Sequence, residues 1–120
     1  MDETILTQLL IGPLFLVLII IFRAFPPKSI NGIYGYRTPY SMKSQEAWDE
    51  ANRFSLNLML GVGIIVTLTQ IVLYFTLAGQ LKLIIPTILL VVLLIAIIPV
   101  TEIHLRKYFD KEGKPKGRIE

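Results

Sequence analysis

The chain has 120 residues, of which 53% are hydrophobic and 18% charged, and its formal net charge is +3. A soluble domain carries about 25% charged residues, mixed along the chain. Here three stretches that make up more than half of the chain, 4–22, 54–81 and 83–101, contain no charged residue. The composition therefore excludes an ordinary water-soluble globule and predicts an all-α protein that crosses a membrane several times.

The first uncharged stretch predicts a membrane-spanning helix over 5–22. A helix that rises about 1.5 Å per residue needs about 20 residues to cross about 30 Å of hydrocarbon. This span ends at Arg23 and at the Pro26-Pro27 pair, which cannot continue a helix. Acidic residues follow the initial methionine, where a secretory signal carries lysines, so we expect the segment to be retained as an anchor.

The other two stretches predict a helical hairpin. The second span lies within 54–81 and is longer than one crossing needs, so it should tilt or protrude from the bilayer. The third span covers 83–101, between Lys82 and Glu102. Because the link at 78–80 is short, these two helices should run antiparallel.

The distribution of lysine and arginine predicts the orientation, since positive residues stay on the cytoplasmic side. Five of the 12 basic residues lie in the loop 23–53 and six in the segment after 101. This predicts a cytoplasmic loop, a cytoplasmic carboxyl terminus and an external amino terminus. Residues 1–107 should form one three-helix membrane domain, and the polar segment 108–120 should be a mobile cytoplasmic tail.

The loop and the residues after it carry most of the sequence information. Gly32, Gly35 and the Thr38-Pro39 step predict a compact irregular turn over 31–40. The tyrosines at positions 34, 36 and 40 are expected at the level of the lipid headgroups, where an aromatic ring with a polar tip is stable.

An amphipathic cytoplasmic helix should lead into the second span. It is predicted to begin at Ser44, a typical N-cap residue that is followed by Glu46 in the first turn. Three- and four-residue spacing defines one face of this helix, comprising Trp48, Ala51, Asn52, Ser55 and Leu58. We expect Trp48 to anchor the helix at the membrane interface.

These residues resemble the signature of a known family. The matching positions are Asn31, Gly35-Tyr36-Arg37-Thr38-Pro39, Ser41, Lys43-Ser44, Trp48 and Ala51-Asn52. In this order, with a transmembrane helix following, they are similar to the SdpI/YfhL family of bacterial membrane proteins over about residues 26–100. The resemblance implies a multi-pass protein of the bacterial cytoplasmic membrane.

The resemblance also implies a function. Family members are implied to act as immunity proteins that protect the producing cell from a secreted killing peptide of the sporulation-delaying type. The longer member is implied to hold a soluble transcriptional repressor at the membrane when toxin is present. The present chain is expected to match the short members, which lack that member's additional amino-terminal membrane domain.

A polar stripe in the second span is one candidate site. It consists of residues at helical spacing on one face, namely Gly63, Thr67, Gln70 and Tyr74. Gln8, Gly12 and Thr87 are expected in the same half of the bilayer. Each polar side chain of this kind contributes about 0.6 to 2 kcal/mol to helix association, so packing is the favoured explanation and a cleft for a toxin peptide is the alternative.

Arg37 and Glu102 form a second candidate, an ion pair at the cytoplasmic boundary. A guanidinium can bind a carboxylate through two hydrogen bonds, and a partly desolvated pair gains more than an exposed one. Arg37 could instead hold a lipid phosphate. The competitors for the two groups are Arg53, Arg106, Glu46 and Asp49.

The sequence contains no glycine-rich phosphate loop, no nucleophile with a histidine base, and no ionisable residue within the three spans. We therefore expect a protein that is not an enzyme and uses no cofactor or metal. The lone His104 is expected to be interfacial, because no cysteine or second histidine could complete a metal site. Asn52 and Asn57 are expected to form hydrogen bonds between helices.

The expected partners are membrane lipids, a secreted toxin peptide, a soluble cytoplasmic repressor and further copies of the chain, but not nucleic acid. Two other classes of function compete with immunity. One is a small lipid-binding or transport-related module, and the other is a structural subunit of a membrane complex.

The orientation can be tested with reporter fusions. A reporter placed at the carboxyl terminus or within 28–44 should report the cytoplasm, because eleven of the 12 basic residues lie on that side. Paired fusions to alkaline phosphatase and green fluorescent protein measure this directly. A periplasmic signal from either position would overturn the predicted topology.

Overall fold

The computed structural model of the protein describes residues 3–116. Four helical segments follow one another, α1 (Glu3–Ile11), α2 (Pro13–Ala24), α3 (Gln45–Thr76) and α4 (Leu81–Tyr108). The combined α1 and α2, then α3, then α4 are each long and apolar enough to cross a membrane. The described residues contain no β-strand beyond one isolated bridge, so the predicted all-α fold with three spans is confirmed.

The first span has a break at Gly12 that the sequence prediction of a continuous helix did not include. Pro13 begins α2, where its missing N–H needs no partner, but that missing donor also removes the bond that the carbonyl of Leu9 would accept. Gly12 lies so close to α3 that a Cβ at this position would overlap the side chains of Thr67 and Gln70. The break therefore coincides with a close approach between the first span and α3.

The predicted antiparallel hairpin of the second and third spans is present. At one end of the hairpin His104 of α4 contacts Glu50 of α3, and at the other end Lys82 lies 5.0 Å from the ring centre of Tyr74. α2 packs mainly on α3, whereas α1 packs mainly on α4. The first span therefore crosses from one partner helix to the other along its length.

α3 begins as the sequence predicts. Ser44 is extended, with φ of −154°, and its Oγ accepts a hydrogen bond of 3.0 Å from the N–H of Ala47. The helix then continues for 32 residues without interruption. This is about 12 residues more than one crossing needs, so the first turns of α3 project beyond the membrane-spanning part.

Two groups of buried side chains hold the helices together. Near the loop the buried set is Tyr36, Tyr40, Ala47, Ala51, Leu105 and Phe109. Further along, Val62 and Val66 of α3 pack against Ile97 of α4. Large apolar side chains on the outer faces of all helices are exposed, as expected for surfaces in contact with lipid.

After α4 the chain turns back towards the loop. Phe109 is buried and forms an isolated bridge with Pro115, and its carbonyl accepts a hydrogen bond from the hydroxyl of Tyr40. Ser44 Oγ also donates to the carbonyl of Gly113, at 2.5 Å. Residues 109–116 thus contact the loop, residues 117–120 lie outside the described residues, and the mobility predicted for 108–120 stays a prediction.

Candidate functional site

The loop between α2 and α3 begins with a turn organised by Asn31. Its Oδ1 accepts hydrogen bonds of 2.8 Å from the N–H groups of Ile33 and Tyr34, and its Nδ2 donates to the carbonyl of Ser29. An asparagine side chain in this position replaces a backbone partner and fixes a tight turn. The compact turn predicted for this segment is therefore built on Asn31.

Asn52 joins the loop to α3. Its buried side chain accepts a hydrogen bond of 2.6 Å from the N–H of Tyr36 and donates one of 2.9 Å to the carbonyl of Trp48. The amide thus satisfies a loop donor and a helix acceptor at the same time. The interhelical role predicted for Asn52 is replaced by a link between loop and helix, while Asn57 is exposed.

Trp48 and Gly35 form the closest contact between loop and helix. The indole of Trp48 is fully buried and its N–H donates a hydrogen bond of 2.6 Å to the carbonyl of Pro27. Gly35 has φ of +114° and lies against Trp48 and Asn52, where a Cβ would approach Asn52 Oδ1 to 2.8 Å. Both its φ and its surroundings therefore require glycine. Trp48 anchors the loop, and its depth in a membrane stays a prediction.

Glu102 of α4 binds two hydroxyl groups of the loop. Its Oε2 accepts hydrogen bonds of 2.6 Å from Tyr36 and 2.7 Å from Thr38. Burial raises the pKa of the Tyr36 hydroxyl, and the hydrogen bond to Glu102 raises it further, so the hydroxyl stays protonated and donates. The loop is thus tied to α4 as well as to α3.

The structure does not contain the ion pair expected between Arg37 and Glu102. Arg37 is exposed and forms no ion pair within residues 3–116, whereas its two neighbours in sequence, Tyr36 and Thr38, both reach the carboxylate. The hydroxyl groups of Tyr36 and Thr38 both occupy Glu102 Oε2, which leaves Arg37 between them exposed. The expected location of Glu102 beside the motif is correct, but the residues that bind it were not identified.

Thr38, Pro39 and Ser41 complete the turn. The Thr38 N–H donates to Ser41 Oγ at 2.9 Å, and the buried Ser41 hydroxyl is within 3.0 Å of the carbonyls of Tyr36 and Thr38. These short-range bonds hold the two loop hydroxyls in position towards α4. Tyr36, Thr38, Ser41, Trp48 and Asn52 of the motif therefore belong to one hydrogen-bonded unit, against which Gly35 packs. Arg37, Pro39 and Lys43 are exposed.

A charged cluster that sequence analysis missed connects α3 to α4 beside this unit. Glu50 Oε2 lies 2.5 Å from His104 Nε2 and 2.6 Å from a guanidinium nitrogen of Arg53. The His104 ring stacks on Phe54 with centroids 3.8 Å apart. The only sequence signal for this cluster was that each member lies at the boundary of an uncharged span.

An apolar crevice of about 430 Å³ lies between α2 and α4, with α3 as its floor. Gly35 and Tyr36 close it at the loop end. Phe22 and Ile98, on opposite walls, are both exposed, so the crevice opens sideways towards the lipid. The remaining lining is largely apolar and includes Phe15, Ile19, Met59, Leu94 and Ile97.

The structure brings only part of the predicted polar stripe together. Gln70 is 4% exposed and its Nε2 donates a hydrogen bond of 2.9 Å to the carbonyl of Gln8. Gly63 packs directly against Leu16 of α2, where a Cβ would approach the Leu16 side chain to 2.9 Å. Three buried polar atoms around the Gly12 break have no hydrogen-bond partner among the described residues, namely Gln8 Nε2, Thr67 Oγ1 and Gln70 Oε1.

Tyr74 is the last member of the stripe, and Thr87 was expected in the same half of the bilayer. Tyr74 is exposed and contacts Phe75 and Lys82, but it also lines a cavity of about 350 Å³ together with Gln8, Thr67 and Gln70. Thr87 is exposed and donates to the carbonyl of Leu83 in its own helix. The buried polar layer therefore joins the first span to α3 and does not extend to Thr87.

The protein has three apolar spans, and the loop after the first span is hydrogen-bonded to both the second and the third. These features define an all-α, multi-pass type of membrane protein. Residues 28–101 match the SdpI/YfhL protein family, and the chain belongs to this family. The matched range contains all of the motif described above, the whole of α3 and most of α4. The family resemblance of the sequence is therefore confirmed.

A relative in Bacillus subtilis (strain 168), described as the uncharacterized protein YfhL, is 48% identical to this chain over 61 residues. The matched segment covers 51% of this chain and 56% of the relative, so the match spans about half of each protein. No solved structure matches the chain at a significant level.

The link made by Asn52 predicts a large effect of its removal. Asn52→Ala would leave the buried N–H of Tyr36 without a partner, which costs about 1 to 3 kcal/mol. We expect the free energy of unfolding of the detergent-solubilised protein to fall by that amount. The exposed Asn57, one and a half turns further along α3, supplies the control, and Asn57→Ala should change stability by less than about 0.5 kcal/mol. Equal effects of the two substitutions would contradict the role of Asn52.

The bond between Gln70 and the carbonyl of Gln8 predicts a second effect. Gln70→Leu should leave membrane insertion intact but weaken packing of the first span on α3 by about 1 kcal/mol. Unfolding of the purified protein in mixed micelles measures this. Gln80→Leu, in the exposed link between α3 and α4, is the matched control and should behave as the unaltered protein. An unchanged stability for Gln70→Leu would show that the bond contributes nothing.

Proposed function

We propose that the protein is a non-enzymatic membrane immunity or resistance protein that protects its cell against a secreted toxic peptide. The observation that carries this proposal is the lateral apolar crevice between α2 and α4, whose loop end is closed by motif residues. Membership of the SdpI/YfhL family supports it, because the family resemblance implies immunity. The proposed location is the bacterial cytoplasmic membrane, with the loop and carboxyl terminus inside.

The shape and chemistry of the crevice suit one face of an amphipathic peptide. Binding grooves for such peptides are apolar and accept side chains at helical spacing. A volume of about 430 Å³ lies within the range of about 300 to 1,000 Å³ that is typical of ligand pockets. Buried Asn52 and Ser55 reach the floor, but their polar groups are engaged in hydrogen bonds, so apolar contact dominates.

The mechanism that follows is capture within the membrane. A toxic peptide that enters the bilayer would insert its apolar side chains between α2 and α4 and be held away from other copies of itself. Affinity would come from the burial of apolar surface and from close packing. The loop would act indirectly, because Tyr36 and Gly35 set the closed end of the crevice through their bonds to α3 and α4.

Toxin challenge of cells with and without the gene tests this function. Cells that express the protein should survive a purified sporulation-delaying peptide at a concentration that kills cells without it. Leu94→Trp should fill the crevice and return survival to that of unprotected cells. Ile95→Trp is the control and should protect fully, because Ile95 is adjacent in α4 but does not line the crevice and is 62% exposed on the outer face of the helix.

Protein levels in the membrane must be equal for the comparison. If Leu94→Trp protects as well as Ile95→Trp, the crevice is not the binding site. If Gln70→Leu abolishes protection at an unchanged protein level, the polar layer around the Gly12 break is the better location. Failure of the unaltered protein to protect would reject immunity against this class of peptide.

A further inference from the structure

A second cavity, of about 600 Å³, lies at the end of the first span. It is formed by the last residues of α2, the proline turn after it and the first turns of α3. Three basic side chains reach this cavity, from Arg23, Lys28 and Arg53, together with one carboxylate, from Asp49. The lining therefore carries an excess of positive charge, in contrast to the apolar crevice.

Two of the three cations are not neutralised within the protein. The side chains of Arg23 and Lys28 form no ion pair or hydrogen bond within residues 3–116. Arg53 is held by two hydrogen bonds to Glu50, and Asp49 accepts a hydrogen bond of 2.7 Å from Gln45. Because Gln45 is neutral, Asp49 keeps its negative charge. The two free cations, Arg23 and Lys28, therefore exceed the one free carboxylate and leave the cavity positively charged.

The position of the cavity along the membrane normal follows from the sequence. Arg23 comes directly after the uncharged stretch 4–22, and Arg53 comes directly before the uncharged stretch 54–81. Both guanidinium groups therefore lie at the same boundary of the membrane, whichever side that is. This is the level of lipid phosphates, where basic pockets between transmembrane helices bind anionic headgroups.

We propose that this cavity is a binding site for the headgroup of an anionic phospholipid of the phosphatidylglycerol class. Arg23 and Lys28 bind the phosphodiester, because a guanidinium bonds phosphate oxygens in pairs and an ammonium contributes a compact charge. The hydroxyl groups of a glycerol headgroup match the exposed polar groups of Asp49 and Asn57, which can accept them. The inference is independent of the proposed immunity.

The site differs from the lipid contact considered for Arg37. Arg37 is exposed and does not line this cavity, although it belongs to the same loop as Lys28 and carries the same positive charge. It therefore provides a matched control. Loss of Arg37 changes the net charge of the protein by one unit, as loss of Arg23 or Lys28 does, but leaves the cavity intact.

The test is lipid binding by the full chain in detergent micelles, followed by native mass spectrometry while phosphatidylglycerol or phosphatidylcholine is added. The unaltered protein should bind one phosphatidylglycerol saturably and phosphatidylcholine much more weakly. Arg23→Gln and Lys28→Gln should each weaken the binding of phosphatidylglycerol about fivefold. Arg37→Gln should change it less than about twofold. Circular dichroism checks that each variant is folded.

Three results would overturn the proposal. An equal loss for Arg37→Gln and Lys28→Gln would mean diffuse attraction to the whole basic face. Equal binding of the two lipids would remove the role of the anionic phosphodiester. Competition by soluble glycerol phosphate at the same concentration as the lipid would indicate a site for a free anion. If Arg23→Gln fails to fold, Lys28→Gln decides alone, since Lys28 is exposed and lies outside the helices.

Discussion

The side chain of Asn52 accepts the N–H of Tyr36 and donates to the carbonyl of Trp48, and the arrangement of the loop depends on this pair of hydrogen bonds. Once Tyr36 is fixed to α3, Gly35 is brought against the Trp48 ring, and the Tyr36 hydroxyl reaches Glu102 on α4. One amide group therefore determines how the loop between α2 and α3 is held against both α3 and α4.

The loop is joined to α4 by neutral hydroxyl donors instead of an ion pair. Taking both an arginine and a carboxylate out of water carries a large desolvation cost, which their attraction offsets only when every polar group is satisfied. Hydroxyl groups from Tyr36 and Thr38 solvate the Glu102 carboxylate without burying a second charge. Arg37 can then stay exposed, where its charge favours the aqueous side of the boundary.

Two cavities of opposite character share one wall. Pro27, Asn52 and Leu56 line both the apolar crevice and the basic cavity. The first suits apolar side chains within the bilayer, and the second suits a phosphate at its surface. Because the bond from Trp48 holds the carbonyl of Pro27, the same hydrogen-bonded unit shapes both cavities. A substitution that releases the loop should therefore alter both.

The sequence by itself determined the three spans, the N-cap at Ser44 and the family motif, because these depend on composition and on residues close together in the chain. It also contained the break at Gly12 and Pro13, although the uniform hydrophobicity of the stretch concealed it. Only the tertiary structure decided that Glu102 binds the hydroxyls on either side of Arg37 and that a crevice separates α2 from α4. Those features depend on distances between residues that are far apart in sequence. Neighbouring side chains that can all donate a hydrogen bond compete for the same carboxylate, and only the fold decides which of them faces it.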